Sequence, residues 1–454
     1  MQNNRGVWSS KTGFVLAAAG SAIGLGNIWR FPYIVGENGG GAFVLIYLFF
    51  ILLLGLPYLM AELALGRANN LNAVGTINKI KPGSNWRIAG YTGIITSIGI
   101  LSFYGVIAGW TFGYIFKSFS LSSEADGSFN SFIINPINEI LLFAFFIFIT
   151  SLIVYKGIEG GIEKWSKILM PLLMVILIVL IVYANFLPGA SKGLEFYLIP
   201  DFSKIGFKTV LAALGQAFFS LSLGLGLMVT FGSYLTKDTD ILSCSIKIVL
   251  FDSAVAVFSG LIVFPALFAM GENPASGPSL VFIVFPQLFA QMTGGTIVGA
   301  LFFILLSIAA LTSTISLLEV PVTYMVDEKK SDRKKIVWGA ALVVFIIGLP
   351  SALSQGTVNF FTNFGLIPES LASPDFLSQM SFFFGDFLLT LSALFLCIFI
   401  GWVWGTDKAS EELKAGSKFF TKFEPIWNFL IKYFIPIVIF IILLSIFEIS
   451  SIID

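Results

Sequence analysis

The sequence predicts an all-α protein that crosses a lipid bilayer about eleven times, with the first and sixth spans broken at mid-membrane. Three observations carry that expectation. The 454 residues are 57% hydrophobic and only 11% charged, where soluble domains carry about 25% charged residues. Apolar segments near the ~20 residues needed to span hydrocarbon recur along the whole chain. Two of these segments hold Gly-Leu-Gly and small hydroxyl residues halfway along, at 20–27 (GSAIGLGN) and 220–226 (SLSLGLG).

Glycine inside a helix costs about 1 kcal/mol relative to alanine, so each cluster reads as a break. A break frees N–H and C=O groups that must find protein, water, an ion or a ligand within the membrane. Small residues also let membrane helices pack closely, and either cluster alone fits both readings. Interruptions at matching places in the two halves of a membrane protein point to a transport site.

The apolar segments fall at about 13–36, 41–66, 88–116, 136–154, 168–187, 207–234, 248–270, 296–322, 336–352, 379–403 and 430–450. With the N-terminus inside, the internal connections collect most of the Lys and Arg, among them Arg67, Arg87, Lys156, Lys164, Lys329, Lys330 and Arg333. The external ones hold Lys117, Lys192, Lys204 and Lys208. That asymmetry predicts a cytoplasmic N-terminus and an external C-terminus in the cell membrane. The polar run 1–12 leads into a full-length span rather than the short core of a signal peptide. External stretches at about 188–206, 271–295 and 353–378 are candidate lids, the second marked by Asn273-Pro274 and Gly277-Pro278. Residues 1–454 read as a single domain, with 13–187 and 207–403 as two five-helix repeats, each led by a broken helix, and 430–450 as an additional helix.

Composition also excludes functions. The formal net charge is zero, which leaves no basic footprint for nucleic acid. Histidine is absent and the two cysteines, Cys244 and Cys397, lie in or beside apolar segments. Histidine acid–base chemistry, most zinc sites and a disulfide framework are therefore excluded, and an enzyme is the least expected class. A transporter, an ion channel and a non-transporting sensor remain, separable by substrate accumulation.

The run from Trp8 to Gly41, with Gly20-Ser21-Ala22-Ile23-Gly24-Leu25-Gly26-Asn27-Ile28-Trp29-Arg30-Phe31-Pro32 at its centre, resembles the neurotransmitter:sodium symporter family. Glu62, Gly66-Arg67, Gln216-Ala217-Phe218-Phe219-Ser220-Leu221-Ser222-Leu223-Gly224 and Leu311-Thr312-Ser313 extend the match. The resemblance implies the two inverted five-helix repeats of the LeuT fold, sodium-coupled amino-acid import by alternating access, and two sodium ions as coupled cargo. It leaves the oligomeric state open. The first sodium site would draw on Ala22, Asn27, Ser220 and Asp252, completed by the substrate carboxylate; the second on Gly20, Ile23, Ala309, Thr312 and Ser313. Hydroxyls at 312 and 313 also suit ordinary back-bonding within a helix. Asp252 would be a fixed negative charge where chloride-requiring relatives are neutral, so transport is expected not to need chloride. Read alone, a residue so near the start of its span could instead reach water.

The same resemblance assigns the substrate pocket to Ser21, Ala22, Gly24, Leu25, Gly26, Ile100, Tyr104, Phe219, Ser220, Ser222, Leu225, Ser313 and Leu317. Glycine at 24 leaves room for a substrate that brings its own carboxylate, held by Tyr104 and by N–H groups at a half-helix N-terminus. The remaining walls are apolar or hydroxylic, which favours aromatic and large hydrophobic amino acids over a GABA-like substrate or a small osmolyte. Arg30 and Gln216 belong to an outer gate. The family's acidic partner on the tenth span falls at Ser381, with Asp386 out of register, so the alignment gives Arg30 no ion-pair partner. Tyr104 and Phe219 would then form the thin outer lid. Arg5, Trp8, Ser233, Tyr234 and Asp327 would close the cytoplasmic side, with Asp327 pairing Arg5. Gly161 and Pro171 bracket a cytoplasmic helix end expected to unwind as a hinge.

Overall fold

A computed structural model describes residues 6–120, 128–272, 281–356, 358–417 and 419–447. Regular structure among them is helical, apart from one isolated bridge between Gly40 and Pro200. Nine described helices are long and apolar enough to cross a bilayer: Gly41–Asn69, Arg87–Ser120, Pro136–Tyr155, Ile158–Asn185, Ile241–Met270, Gly295–Lys329, Arg333–Leu353, Phe376–Lys414 and Glu424–Ser445. The first expected span is a bent pair, Lys11–Ala22 and Gly26–Glu37, whose halves turn 54° against each other. The sixth divides into Phe207–Ser220 and Leu227–Gly232, and neither piece is long enough to cross alone. By length and apolarity nine described helices qualify, or ten with the bent first pair counted as one span; the two short pieces of the sixth do not enter that count.

Several boundaries differ from the hydropathy reading. The fifth span begins at Ile158 rather than near 168, because Gly157 (φ 81°) turns the chain directly into it. The tenth runs on to Lys414 past Gly405 (φ 93°). The stretch 188–206 contains a helix, Ala190–Leu198, and 281–295 contains Val284–Gln291. The turn signals at 273–274 and 277–278 lie outside the described residues.

Burial sorts the spans. Gly295–Lys329 has 83% of its apolar window enclosed, whereas Arg333–Leu353 has 33% and turns most of its surface outward. The enclosed span packs along Arg87–Lys117 and against the first half-helix. This packing brings both breaks into the centre of the bundle.

The second break has a clear local cause. Ser222, Gly224 and Gly226 adopt φ of 52°, 85° and 67°, a left-handed region that ends an α-helix. Glycine enters it without steric penalty. At Gly224 a side chain is excluded as well, since a Cβ would lie 2.6 Å from that of Ala393. Ser222 has no such freedom, and a non-glycine residue held there stores roughly 1–3 kcal/mol of strain.

Candidate functional site

Backbone groups bared by the two breaks are met by named side chains, as a low-dielectric interior requires. In the first break, Leu25 N–H donates to the Tyr104 hydroxyl (3.1 Å) and Gly24 N–H to Asn27 Oδ1 (3.2 Å). The Gly26 carbonyl accepts from Gln216 Nε2 (3.3 Å) and the Asn27 carbonyl from Ser259 Oγ (2.7 Å). In the second break, Gly224 N–H donates to Glu62 Oε1 (2.6 Å). The Gly224 carbonyl accepts from Ser392 Oγ (2.7 Å) and the Leu225 carbonyl from Ser97 Oγ (3.3 Å). Glu62 is fully buried, so the motif glutamate braces the break from a neighbouring span.

The breaks also face each other. The Ser21 carbonyl accepts from Ser222 Oγ (3.3 Å) across the gap and from Ser313 Oγ (3.4 Å) on Gly295–Lys329. Ile23 O accepts from Ser313 Oγ (3.4 Å) and Thr312 Oγ1 (3.5 Å), and both hydroxyls also donate to Ala309 O (3.3 and 3.0 Å). Gly20 abuts the same place, because a Cβ there would meet Thr312 Cβ at 3.4 Å. The five residues expected around a second cation are therefore one oxygen-rich cluster.

A second cluster forms around Asp252, which is fully buried on Ile241–Met270. Its Oδ1 accepts from Asn27 Nδ2 (2.7 Å) and its Oδ2 from Ser220 Oγ (2.7 Å) and the Tyr47 hydroxyl (3.4 Å). Complete burial removes the reading in which Asp252 reaches water. Tyr47 was not anticipated; it sits in an unbroken apolar run and carries no local signal.

All the side chains expected for the substrate pocket line one cavity of about 470 Å3. Its walls add Trp29, Tyr33, Phe103 and Ile107 to the expected set. Space at the first break is tight. A Cβ on Gly24 would come within 2.7 Å of Ser313 Oγ and 3.1 Å of the Tyr104 hydroxyl, and one on Gly26 within 2.9 Å of the Phe219 ring. Ser21 Oγ is buried against the cavity with no hydrogen-bond partner.

At the mouth of the cavity beside Arg30 the alignment-based expectation is corrected. Arg30 Nη2 lies 3.7 Å from Asp386 Oδ1, and its guanidinium stacks 4.3 Å from the Phe219 ring centroid. Ser381 is not the partner. Residues Ser381–Leu388 form a π-helix, whose i→i+5 bonding rotates each residue less than an α-turn. Asp386 therefore arrives on the face that α-helical spacing denies it.

At the opposite end, Trp8 Nε1 donates to Phe231 O (3.1 Å), and its ring meets Phe231 and Tyr234 edge-on. Ser233 lies beside them, donating to Thr230 O (2.6 Å). Asp327 accepts from Asn72 N–H (2.9 Å) and Nδ2 (3.1 Å); its expected partner Arg5 lies outside the described residues. Tyr234 donates to Glu319 Oε1 (2.9 Å), and Glu319 pairs with Arg333, neither of which sequence reasoning singled out as a site. The hinge stretch is wound: Ile158–Glu163 is a π-helix holding Gly161, and Lys164–Asn185 continues as an α-helix through Pro171. Glu163 there accepts from Ser9 N–H (2.7 Å), Ser9 Oγ (2.6 Å) and Ser10 Oγ (2.9 Å).

Two broken helices facing each other across a central cavity, among helices long and apolar enough to span a bilayer, define a helical membrane carrier. The chain belongs to the sodium:neurotransmitter symporter family, which it matches over residues 5–132 and 137–452. It is 38% identical to the "uncharacterized sodium-dependent transporter YhdH" of Bacillus subtilis, over 98% of both chains. It is 27% identical to the human sodium- and chloride-dependent GABA transporter 2, over 90% of this chain and 75% of that one. Among solved structures it resembles MhsT in complex with L-phenylalanine, with a TM-score of 0.87 and 41% identity over 98% of this chain and 100% of that one. The protein is a sodium-dependent symporter of the multi-pass membrane type and not an enzyme.

Proposed function

We propose that the protein imports hydrophobic and aromatic L-amino acids, coupled to two sodium ions and without chloride. The observation that carries the reading is the cavity between the facing breaks. It offers backbone N–H and C=O groups at its floor, and side chains without charge, such as Ile100, Phe219 and Leu317, around the substrate's side chain. Apolar surface buried there stabilises binding by about 25 cal/mol per Å2. The 41% identity to MhsT, solved with L-phenylalanine, supports the same substrate class.

The two oxygen clusters supply the cation chemistry. Hard cations take carbonyl, hydroxyl and carboxylate oxygens, which both clusters offer in place of sulfur or imidazole. One centres on Asn27, Ser220 and Asp252, to which the proposed site adds the Ala22 carbonyl; the other comprises Gly20, Ile23, Ala309, Thr312 and Ser313. Asn27 Oδ1 accepts one N–H and keeps a lone pair for an ion. Asp252 supplies the negative charge within the protein. The N-terminus faces the cytoplasm and the C-terminus the outside, in accord with the distribution of Lys and Arg.

Each sodium ion crossing about 100 mV contributes about 2.3 kcal/mol, and a tenfold gradient adds about 1.4 kcal/mol. Two ions with a zwitterion supply roughly 7 kcal/mol, or about five decades of accumulation. Coupling requires sodium to favour the outward-facing state and substrate to drive occlusion, through differential affinity. Repeats 13–187 and 207–403 would move against each other, with Gly161–Pro171 as the cytoplasmic hinge.

The test is uptake into proteoliposomes under an imposed sodium gradient, comparing phenylalanine, tyrosine, tryptophan, leucine, glycine and GABA with and without chloride. Saturable, sodium-dependent accumulation of the aromatic amino acids is expected. Best competition by glycine or GABA would overturn the pocket reading, and binding without accumulation would make the protein a sensor.

A further inference from the structure

One wall of the cavity belongs to a segment that the transport cycle described above leaves unused. Leu371 and Ala372, from the external connection before the tenth span, line the same cavity as Tyr104 and Phe219. They ride on a turn in which the N–H groups of both residues donate to Pro368 O (2.9 and 3.2 Å). Both are half-buried and apolar, and they stand at the outer mouth, on the side of Leu377, Phe382 and Asp386.

A single side chain fixes this tip. Gln379 is 4% exposed at the start of the tenth span. Its Nε2 donates to Ile367 O (3.3 Å) and Ser373 O (2.9 Å), and its Oε1 accepts from Ile367 N–H (2.6 Å). The amide therefore grips the chain on both sides of Leu371 and Ala372. Phe364 packs edge-on against Phe376 at 4.8 Å, and Phe364 and Gly365 N–H both donate to Pro374 O (2.9 and 3.0 Å). The tip is tied to the helical stretch that continues into Asp386, the partner of Arg30.

We propose that segment 364–375 is the roof of the substrate path, held in place by Gln379, and that Leu371 sets how fast large apolar amino acids enter and leave. A roof anchored to the helix that carries Asp386 moves with the outer ion pair. An amino acid must pass Leu371 before it reaches Phe219, so bulk at 371 acts on rates in both directions and little on affinity. The role in amino-acid entry rests on the transport reading above; the roof itself does not.

Two measurements separate these parts. A reporter cysteine at Ile107, which lines the cavity, is alkylated by a membrane-impermeant maleimide added outside sealed vesicles, the thiol adding across its C=C bond; Cys244 and Cys397 are buried. Gln379→Leu is expected to raise the alkylation rate at least fivefold and Leu371→Ser at least twofold, while Gln379→Glu, which keeps the acceptor for Ile367 N–H, falls between Gln379→Leu and wild type. Unchanged rates in Gln379→Leu and Leu371→Ser overturn the roof. For entry, Leu371→Ala should speed association and dissociation of labelled phenylalanine at least threefold each, with Kd within twofold. A change in Kd at unchanged rates overturns the entry role. If wild-type protein binds no amino acid, the transport reading falls, and alkylation still decides whether the segment is a roof.

Discussion

The guanidinium of Arg30 joins two side chains at once, stacking on the Phe219 ring at 4.3 Å while its Nη2 lies 3.7 Å from Asp386 Oδ1. Both charged side chains are about a third exposed, so the pair resembles a surface ion pair, worth roughly 0–1 kcal/mol. That is too little to hold the fold and enough to bias a gate. Asp386→Asn should lower sodium-driven uptake several-fold while leaving thermal stability within about a degree. Uptake and a melting curve on the same preparation check it; a large fall in stability would make the pair structural.

The buried Asp252 carboxylate is held by Asn27, Ser220 and Tyr47. Uptake by wild-type protein should be equal in chloride and gluconate. Asp252→Asn removes the charge and keeps the shape, and should cut uptake in gluconate at least tenfold. Chloride dependence of the wild type would show that the carboxylate is not the compensating anion.

Glu163 gathers Ser9 and Ser10 beside the N-terminal segment and pairs with Lys167 at 2.7 Å. Glu163→Gln halves its accepting capacity and abolishes the ion pair. Hydrogen exchange across residues 7–14 should accelerate several-fold in this variant, read by mass spectrometry, with exchange in Gly295–Lys329 unchanged. Equal protection in both proteins would mean that Trp8 alone retains the N-terminal segment.

Glu319 is fully buried and accepts from Arg333, Tyr234 and Thr323. Removing one partner of a buried pair costs about 3–5 kcal/mol, because the other charge is left uncompensated. Arg333→Met should therefore lower the melting temperature more than the double variant Glu319→Gln/Arg333→Met. The reverse order would show that Glu319 stabilises the fold through Tyr234 and Thr323 even without Arg333.

Much of this architecture was legible in the sequence because membrane burial constrains it so strongly. The Gly-Leu-Gly clusters announced both breaks, whereas Thr312 and Ser313 were tied to them only by the family resemblance, since by residue type both fit back-bonding within a helix. Hydropathy could not divide 207–234 into its two pieces, since apolar character is continuous across the break. Tyr47 stayed hidden because a tyrosine in an apolar span is ordinarily a packing residue. Glu62 was visible as a motif residue but not as the acceptor for Gly224, a contact between positions 162 apart in sequence. Asp386 fell out of register because the π-turn at Ser381–Leu388 holds one residue more than α-helical spacing provides. Gln379 carried no signal, since its partners are backbone groups of an irregular connection.

A π-turn differs from an α-turn by one residue of backbone, and in the stretch Ser381–Leu388 that surplus carries Asp386 to Arg30. The meeting of arginine and aspartate across the vestibule is therefore governed by how many residues precede position 386, as well as by which residue stands there. Shortening 381–385 by a single amino acid would leave every charged group in the chain present and swing the carboxylate round the helix, away from its partner. Spacing along one helix thus decides whether the two charges can meet at all.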